Sequence, residues 1–377
     1  MSKKIRVLSI FGTRPEAVKM APVVKALEAE PTIESVVCVT AQHREMLDQV
    51  LATFEITPDI DLNLMQPNQS LAQITASILT NLEPVLKDIK PDWVLVQGDT
   101  TTVMTTALLC YYHQIHIGHV EAGLRTGDKW QPFPEEINRK IAGVVADLHL
   151  APTEHSRKNL RKEGVPDSSI VVTGNPAIDA LRFITQKPAP PEVENLLQQH
   201  HIGQNGKRLI LVTAHRRENF GQPLENIIQA LKQLAEHYGE KIHLIYPVHL
   251  NPNVQKPVYE QLGNISNITL LPPMDYLPMV HLMQKAALVL TDSGGIQEEA
   301  TGLGKPTLVM RATTERPEGV EAGVLKLVGT DTAAIVSEAK NLLDNPETYQ
   351  KMAQAANPFG DGYAAEKIAK AILDFKI

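Results

Sequence analysis

Cysteine is scarce in this chain, and aromatic residues are few. The 377 residues include 2 cysteines, and aromatic residues make up 5%. Cys38 and Cys110 cannot cross-link a fold of this size, and neither lies in a CxxC or Cys/His pattern that would bind zinc. The sequence therefore excludes a disulfide framework and a structural zinc site.

A basic surplus and long hydrophobic runs are also missing. There are 36 Lys and Arg against 43 Asp and Glu, which gives a formal charge of −7. Proteins that bind duplex nucleic acid usually carry a basic surplus, so we expect no nucleic-acid partner. No apolar run approaches the ~18 residues that span a bilayer. The first ten residues read as a strand and not as a signal peptide, so we expect a cytoplasmic protein without a membrane partner.

Motifs that bind dinucleotides, ATP or catalytic metals are absent as well. The turn after the first predicted strand lacks GxGxxG, and GxxxxGK[ST] occurs nowhere. None of the 13 histidines belongs to an HExxH motif or an Asp/His cluster. We expect no cofactor and no metal.

Short β-branched runs alternate with longer amphipathic segments along the chain. This alternation favours βαβ units and a doubly wound α/β fold with parallel sheets. Twelve strands are predicted, too many for one comfortable open sheet, so we expect two Rossmann-like domains. The predicted strands are 7–11, 36–40, 93–97, 115–120, 148–150, 170–173, 209–213, 242–246, 268–271, 288–291, 307–310 and 325–328.

The domain boundary is expected where glycine and proline cluster. Gly174 begins a Gly-Asn-Pro turn, and 186–191 is a stiff, proline-rich stretch. We predict an N-terminal domain over 1–174 and a C-terminal domain over 175–362. A last helix follows at 363–375, and the spacing alone leaves open which domain it joins.

Ligands of open α/β sheets bind beyond the carboxyl ends of the strands, and two such sheets facing each other would form a cleft. In the first half, Arg14 and Lys19 follow the first strand, where a helix start offers N–H groups to an anion. Asp99 and Glu121 each follow an apolar strand, and Glu135 begins a helix. Taken singly, each acid fits a helix cap, but three of them at neighbouring strand ends favour acid–base chemistry.

The second half carries a complementary set after its own strands. His215 follows one strand, and Ser293, Gly294 and Gly295 open a helix as a phosphate cradle. Glu299 lies one turn further, placed to accept hydrogen bonds from ribose hydroxyls. Arg311 and Arg316 could close over phosphate; the alternative is an ordinary charged surface loop.

Long motifs recur in order over essentially the whole chain and resemble one family, the bacterial non-hydrolysing UDP-N-acetylglucosamine 2-epimerases. The matching stretches include FGTRPEAVKMAP at 11–22, GDTTT at 98–102, GHVEAGLRTGD at 118–128, PEEINR at 134–139, AHRREN at 214–219, YPVHLNP at 246–252, LTDSGGIQEEA at 290–300, TTERPEG at 313–319 and NPFGDG at 357–362. The resemblance implies a GT-B fold in which the segment 363–377 returns to the first domain. It also implies a cytoplasmic homodimer that interconverts UDP-GlcNAc and UDP-ManNAc for surface-polysaccharide synthesis, through elimination and re-addition of UDP via 2-acetamidoglucal.

The resemblance assigns roles to individual positions of this chain. The acid–base candidates are Asp99, Glu121 and Glu135, with His215 also at the site. The positions matching substrate contacts are Arg14, Lys19, Met274, Met279, Ser293, Gly294, Gly295, Glu299 and Arg316, the two methionines standing beside the uracil where relatives have other residues. Bacterial members use a second UDP-GlcNAc as an allosteric activator. Gln42, Arg216 and His249 match that second site, whereas Asn68 replaces an Arg of some relatives.

Four other functions share parts of this pattern. A hydrolysing 2-epimerase would release free ManNAc, and a related epimerase would take a modified UDP-sugar. A GT-B glycosyltransferase would need an acceptor site. A catalytically silent UDP-sugar sensor would not need Asp99, Glu121 and Glu135, all of which are present.

Overall fold

The computed structural model describes residues 4–40, 44–65 and 69–375. The chain divides into two compact units, residues 1–183 with 359–377, and residues 184–358. In the described part of the chain, no helix is long and apolar enough to cross a membrane.

The first unit is a parallel sheet with helices on its faces. Its sheet has the order β3-β2-β1-β4-β5-β6-β7 in the described residues. The strands are β1 (Ile5–Phe11), β2 (Ile33–Val39), β3 (Ile60–Asp61), β4 (Trp93–Gln97), β5 (His116–Val120), β6 (Leu148–Ala151) and β7 (Ile170–Val172). The helices are α1 (Arg14–Ala29), α2 (Arg44–Thr53), α3 (Leu71–Ile89), α4 (Thr101–Tyr112), α5 (Glu135–Val145), α6 (Glu154–Lys162) and α7 (Pro176–Ile184).

The second unit repeats this plan. Its sheet has the order β10-β9-β8-β11-β12-β13 in the described residues. The strands are β8 (Arg208–Thr213), β9 (Ile242–Pro247), β10 (Ile268–Leu271), β11 (Ala286–Thr291), β12 (Thr307–Val309) and β13 (Leu325–Leu327). The helices are α8 (Pro191–Gln199), α9 (Gln222–Tyr238), α10 (Pro252–Leu262), α11 (Tyr276–Lys285), α12 (Gly294–Gly302), α13 (Pro317–Glu321), α14 (Thr332–Asp344) and α15 (Pro346–Ala353).

The central strands are buried because helices cover both faces of each sheet. Every residue of β4 is buried, and so is nearly all of β1 and β8. Such strands read as continuous apolar runs, which is why the sequence revealed them. All twelve predicted strands are present, and the α/β class with two doubly wound parallel sheets is confirmed. The sequence missed β3, since Ile60–Asp61 is too short to carry a pattern.

The last helix, α16 (Ala364–Asp374), belongs to the first unit. It packs on α1, and Phe375 meets the buried ring of Trp93 edge-on at 5.0 Å. The Asp179 carboxylate on α7 accepts a hydrogen bond from Ala365 N at 2.8 Å and so caps α16 from a neighbouring helix. The chain passes between the units at 183/184 and 358/359, close to the boundaries expected after 174 and 362.

Each sheet has one point where the strand order reverses. In the first unit it lies between β1 and β4, and in the second between β8 and β11. Loops leave the carboxyl ends of the two strands in opposite directions there, which opens a crevice that ligands use. Arg14 and Asp99 follow the two strands of the first reversal, and His215 and Ser293 follow the two strands of the second.

Candidate functional site

The turn after β1 joins the starts of two helices through Glu16. Thr13 and Glu16 form a capping box, and the Glu16 carboxylate accepts hydrogen bonds from Thr13 N at 2.8 Å and Gly12 N at 3.1 Å. It also accepts one from Thr100 Oγ1, the N-cap of α4, at 2.7 Å. Burial raises the pKa of Glu16, while these hydrogen bonds act in the opposite direction. Glu16 therefore occupies N–H groups that the sequence had assigned to an anion.

Glycine is required at the tip of this turn. A methyl group on Gly12 would lie 2.0 Å from Thr40 Oγ1, which belongs to the loop after β2. Thr40 in turn lies 3.3 Å from Thr102 Oγ1 on α4. The loops after β1 and β2 and the start of α4 thus pack too closely for any side chain at this position.

The Glu121 carboxylate accepts hydrogen bonds on both of its oxygens. Its Oε1 accepts hydrogen bonds from Lys19 Nζ at 2.5 Å and from Asn175 Nδ2 at 3.0 Å. Its Oε2 accepts one from Gln97 Nε2. Elements from four places in the chain (β4, β5, α1 and the start of α7) thus hold one buried carboxylate.

The backbone of Glu121 is strained. Its φ is 63°, in the left-handed region that residues with a side chain adopt infrequently. Strain of this kind costs on the order of 1–3 kcal/mol and concentrates at functional positions. The conformation brings the carboxylate to the end of β4, where a methyl group on Gly98 would lie 3.6 Å from Glu121 Oε2.

Asp99 lies at the end of β4 and is held by α5. Arg139 donates to its carboxylate, and Asn138 Nδ2 donates to its carbonyl oxygen at 2.9 Å. Glu135 is the first residue of the same helix. The neighbouring Glu136 is fully buried and accepts hydrogen bonds from the backbone N–H groups of the loop after β5, those of 126 and 127, both at 3.2 Å. The structure therefore gathers the three predicted acids around β4, β5 and the start of α5.

His119 on β5 is a neutral, buried histidine. Burial lowers its pKa to about 4, and Nε2 lies 2.7 Å from Gly98 O. Because a carbonyl oxygen can only accept, Nε2 carries the proton. His149 pairs with His119 across β5 and β6, and burial lowers its pKa to about 4 as well. His119 fixes the turn that carries Asp99.

In the second unit, Asp292 organises the loop after β8. Its buried Oδ2 accepts hydrogen bonds from His215 N and Arg216 N, both at 2.8 Å, and from Asn219 Nδ2 at 3.0 Å. The imidazole of His215 stacks on that of His249, with ring centroids 5.3 Å apart. A residue predicted to act in catalysis thus contacts one predicted to bind the activator.

Two guanidinium groups converge on the start of α12. A methyl group on Gly294 would lie 2.8 Å from Arg316 Nη1 and 3.3 Å from Arg216 Nη2. The first N–H groups of a helix have no intrahelical partner, and the helix dipole places positive charge at the same point. The N–H of Ser293 is already bonded to Thr291 Oγ1 at 3.0 Å, which leaves those of Gly294 and Gly295 as the candidates for binding an anion. Positive charge beside a helix N-terminus is the arrangement expected of an anion site.

Arg316 and Arg311 are buried, not part of an ordinary surface loop. Arg316 Nε donates to Glu298 Oε1 at 2.6 Å, and Arg311 Nε donates to Glu218 Oε1 at 2.6 Å. Burial alone would raise the pKa of Glu315, but the charges of Arg316 and Arg311 outweigh it and hold that pKa at about 2. Both guanidinium groups are thus paired with carboxylates, and Arg316 is the one whose Nη1 also lies at the start of α12, 2.8 Å from where a methyl group on Gly294 would be.

The remaining predicted residues fall in several places. Met274 and Met279 are half-buried and pack against the apolar cluster under α8 and α11. Glu299 lies on the first turns of α12, where its Oε1 would be 3.9 Å from a methyl group on Gly295. Arg14 is the first residue of α1. Gln42, predicted to bind the activator, and Asn68, which replaces an Arg of some relatives at that site, lie outside the described residues.

Sequence reasoning missed four side chains that hold the predicted ones. Gln97 and Asn175 bind Glu121, Arg139 pairs with Asp99, and Glu298 pairs with Arg316. Arg139 belongs to the motif PEEINR at 134–139, but nothing in the sequence identifies Asp99 as its partner. Across the described residues, no group of three or more His, Cys, Asp or Glu side chains is arranged to hold a metal ion.

Comparison with known proteins identifies the family of this chain. A family model described as UDP-N-acetylglucosamine 2-epimerase matches residues 25–373. A relative of that name from Salmonella typhimurium is 54% identical over 375 residues, which cover 99% of this chain and 100% of that protein. A UDP-GlcNAc 2-epimerase from Neisseria meningitidis, whose crystal structure has UDP-GlcNAc bound, superposes with a TM-score of 0.90 at 49% identity, covering 98% of this chain and 100% of that one.

A more distant structure has the same fold. The UDP-GlcNAc 2-epimerase of Methanocaldococcus jannaschii, in complex with UDP-GlcNAc and UDP, superposes with a TM-score of 0.81 at 31% identity, covering 98% of this chain and 99% of that one. The chain belongs to the UDP-N-acetylglucosamine 2-epimerase family. It is an isomerase with the two Rossmann-like domains of the GT-B type, so the resemblance read from the motifs is confirmed.

Proposed function

We propose that this protein interconverts UDP-GlcNAc and UDP-ManNAc at C2 by eliminating and re-adding UDP. The observation that carries the proposal is the convergence of Arg216 and Arg316 on the start of α12. A nucleoside diphosphate leaves carbon with a negative charge, and preorganised positive groups stabilise that charge where it develops. The second unit thus binds UDP.

The elimination step balances without an oxidant. The C1–O bond to UDP breaks and UDP takes the electron pair, so positive charge develops at C1 and acidifies the C2 proton. A carboxylate removes that proton, and the C–H electrons form the C1=C2 double bond of 2-acetamidoglucal. Return of a proton to the opposite face of C2, with re-addition of UDP at C1, gives the epimer.

The acids of the first unit supply this proton transfer. Glu121 is held by an ammonium and two amides, and Asp99 by a guanidinium. Two carboxylates in different surroundings can differ in protonation, which is what removing a proton from one face and returning it to the other requires. Glu135 at the start of α5 is the third candidate.

The family resemblance implies two further properties, which remain predictions for this chain. A second UDP-GlcNAc is proposed to act as an activator through Arg216 and His249. The homodimer that the resemblance implies is proposed to form through α4 and α5. These helices pack together and expose Tyr111, Tyr112 and Val144.

One experiment tests the reaction. Purified protein is incubated with UDP-GlcNAc in D2O, without NAD or metal, and the anomeric NMR signals are followed. We expect UDP-ManNAc to appear and deuterium to enter C2. A requirement for NAD, or free ManNAc as the main product, would contradict the proposal, the second result favouring a hydrolysing enzyme. Nucleotide sugar bound but unchanged would identify a sensor.

A further inference from the structure

Asn175 is a fully buried amide that the reaction as described does not use. It stands just before α7, in a Gly-Asn-Pro turn that the sequence marks as a simple chain break. Its side-chain Nδ2 donates to Glu121 Oε1 at 3.0 Å, and its Oδ1 accepts from Ala177 N at 3.0 Å. Because Ala177 N can only donate, the oxygen of the amide must face it and the NH2 group must face Glu121.

The backbone of Asn175 is fixed by the segment 359–362, which we call the return segment because there the chain re-enters the first unit. Asn175 N donates to Phe359 O at 2.7 Å. A methyl group on Gly174 would lie 3.2 Å from Gly360 Cα, and one on Gly360 would lie 3.4 Å from Asn175 N. Both glycines have positive φ, +91° and +135°, so this approach requires glycine on both sides.

We propose that Asn175 is a positioning residue for the epimerisation, in which its amide orients the Glu121 carboxylate and the return segment holds the amide in place. This inference rests on the proposed function, because it takes Glu121 as a group that exchanges a proton with C2. Lys19 is the counter-ion of Glu121, whereas Asn175 fixes the orientation of its carboxylate through a hydrogen bond. Its amide is planar and short, and both of its ends are bonded, so it can hold the carboxylate in only one orientation.

The surroundings of Glu121 determine how it responds to changes at Asn175. Replacement by Asp swaps the NH2 donor for an oxygen and places a second carboxylate within hydrogen-bond distance of Glu121. Like charges this close raise the pKa of the pair. Replacement by Ala removes the donor only and leaves Lys19 and Gln97. Several other charged or titratable groups stand on the elements around this pair. They include Arg14 and Glu16 on α1, Asp99 after β4, His116 and His119 on β5, Glu135, Glu136, Arg139 and Lys140 on α5, Asp179 and Arg182 on α7, and Asp361 in the return segment.

The test compares Asn175→Asp and Asn175→Ala with Asp179→Asn as the matched control. Asp179 lies on α7, the helix that Asn175 precedes, and secures the start of α16 by accepting a hydrogen bond from Ala365 N. We measure the side-chain titration of Glu121 by carbon-13 NMR, assigned by its loss in Glu121→Gln, together with kcat and KM for UDP-GlcNAc across pH and the melting temperature.

For Asn175→Asp we expect the pKa of Glu121 to rise by about one unit or more, and for Asn175→Ala by less. We expect kcat to fall about tenfold to a hundredfold, the effect of losing a hydrogen bond to a charged group, with KM within about twofold. The limb of the pH profile that Glu121→Gln abolishes should move to higher pH. Asp179→Asn should lower the melting temperature and leave the Glu121 titration unchanged.

A wild-type titration of Glu121 in Asn175→Asp would overturn the inference, as would a loss of kcat that only follows the melting temperature, as in the control. If Asn175→Asp does not fold, the comparison is made with Asn175→Ala and Asn175→Ser. If the wild-type protein fails to exchange C2 hydrogen, the proposed function fails on its own. The titration of Glu121 still decides whether Asn175 governs that carboxylate.

Discussion

Lys19 and Glu121 are 102 positions apart in the chain, yet Lys19 Nζ lies 2.5 Å from Glu121 Oε1. Their side chains are 13% and 5% exposed, so little water screens the pair. Opposite charges in such surroundings each favour the ionised form of the other. The pair therefore links α1 to the loop after β5, beside the switch point of the first sheet.

Breaking this pair from one side should destabilise the protein more than removing both charges. Lys19→Met leaves a buried carboxylate without its counter-ion, which typically costs about 3–5 kcal/mol of unfolding free energy. Lys19→Met combined with Glu121→Gln should cost less than the sum of the two single changes. Urea unfolding at pH 7 measures this double-mutant cycle. Additive losses would show that the two charges do not stabilise each other.

Removing the acids of the first unit should abolish turnover and spare UDP binding. Glu121→Gln and Asp99→Asn should each lower kcat by about 10²–10⁴, the usual contribution of a general acid or base. UDP affinity by calorimetry should change little, because the proposed UDP site lies in the second unit. Glu299→Ala is the contrasting variant, and it should weaken nucleotide binding first. Near-normal turnover of both acid variants would refute the catalytic assignment.

Arg316 should contribute to UDP binding by its position at the start of α12, beyond its contribution to the net charge of the protein. Arg316→Met removes one of the two guanidinium groups at the start of α12 and should weaken UDP binding by about 1.5–3 kcal/mol. Lys326→Met is the control, since it removes a cation paired with Glu338 on the same unit, far along the chain from α12. Calorimetry with UDP compares the two. An equal loss of UDP affinity in both variants would show that only the net charge of the protein matters.

His119 should make the protein sensitive to mild acid. Its pKa is about 4 when folded and about 6.5 when unfolded, so the unfolded chain binds the extra proton. Stability is therefore complete above pH 6.5 and falls as the pH drops from 6.5 toward 4. His119→Gln, whose Nε2 can still donate to Gly98 O, should reduce the slope by up to about 1.4 kcal/mol per pH unit. Urea unfolding between pH 7.5 and 5 measures it, and identical slopes would refute the assignment.

The proposed activator site should appear in the kinetics. If UDP-GlcNAc binds a second site that favours the active state, the rate should rise sigmoidally with its concentration. UDP-ManNAc alone should then react slowly until a little UDP-GlcNAc is added. His249→Ala, which removes a ring stacked on His215, should make the curve less sigmoidal. Hyperbolic kinetics with prompt reaction of pure UDP-ManNAc would exclude activation and leave the catalytic proposal standing.

The sequence predicted the strands well because central strands of a doubly wound sheet are apolar throughout. Trp93–Gln97 and Leu209–Thr213 stand out in any reading, and the residues after them become site candidates by topology alone. The sequence could not show which N–H groups were already in use. Glu16 and the N–H groups it occupies are three to four residues apart, and they form a cap only once α1 exists.

Contacts between residues far apart in the chain could not be predicted from the sequence, for a different reason. Asn175 lies in a Gly-Asn-Pro turn, where asparagine is expected for the turn alone. No sequence pattern therefore indicates its hydrogen bond with Glu121, 54 positions away. Arg216 and Arg316 belong to separate motifs, and their convergence depends on the absence of a side chain at Gly294. The positive φ of Glu121 likewise leaves no trace in the sequence, because the residue is not glycine.

The position of α16 affects the order in which the two units can fold during synthesis. Residues 184–358 are continuous, so the second unit can fold as soon as it has left the ribosome. The first unit is begun earlier but completed later, since α1 and Trp93 wait for the segment that carries α16 and Phe375. Domains fold as units during synthesis, so the half that is translated first here acquires its final core last. Until then the apolar surface of α1 that α16 covers stays exposed, and truncation before Ala364 would leave it permanently exposed.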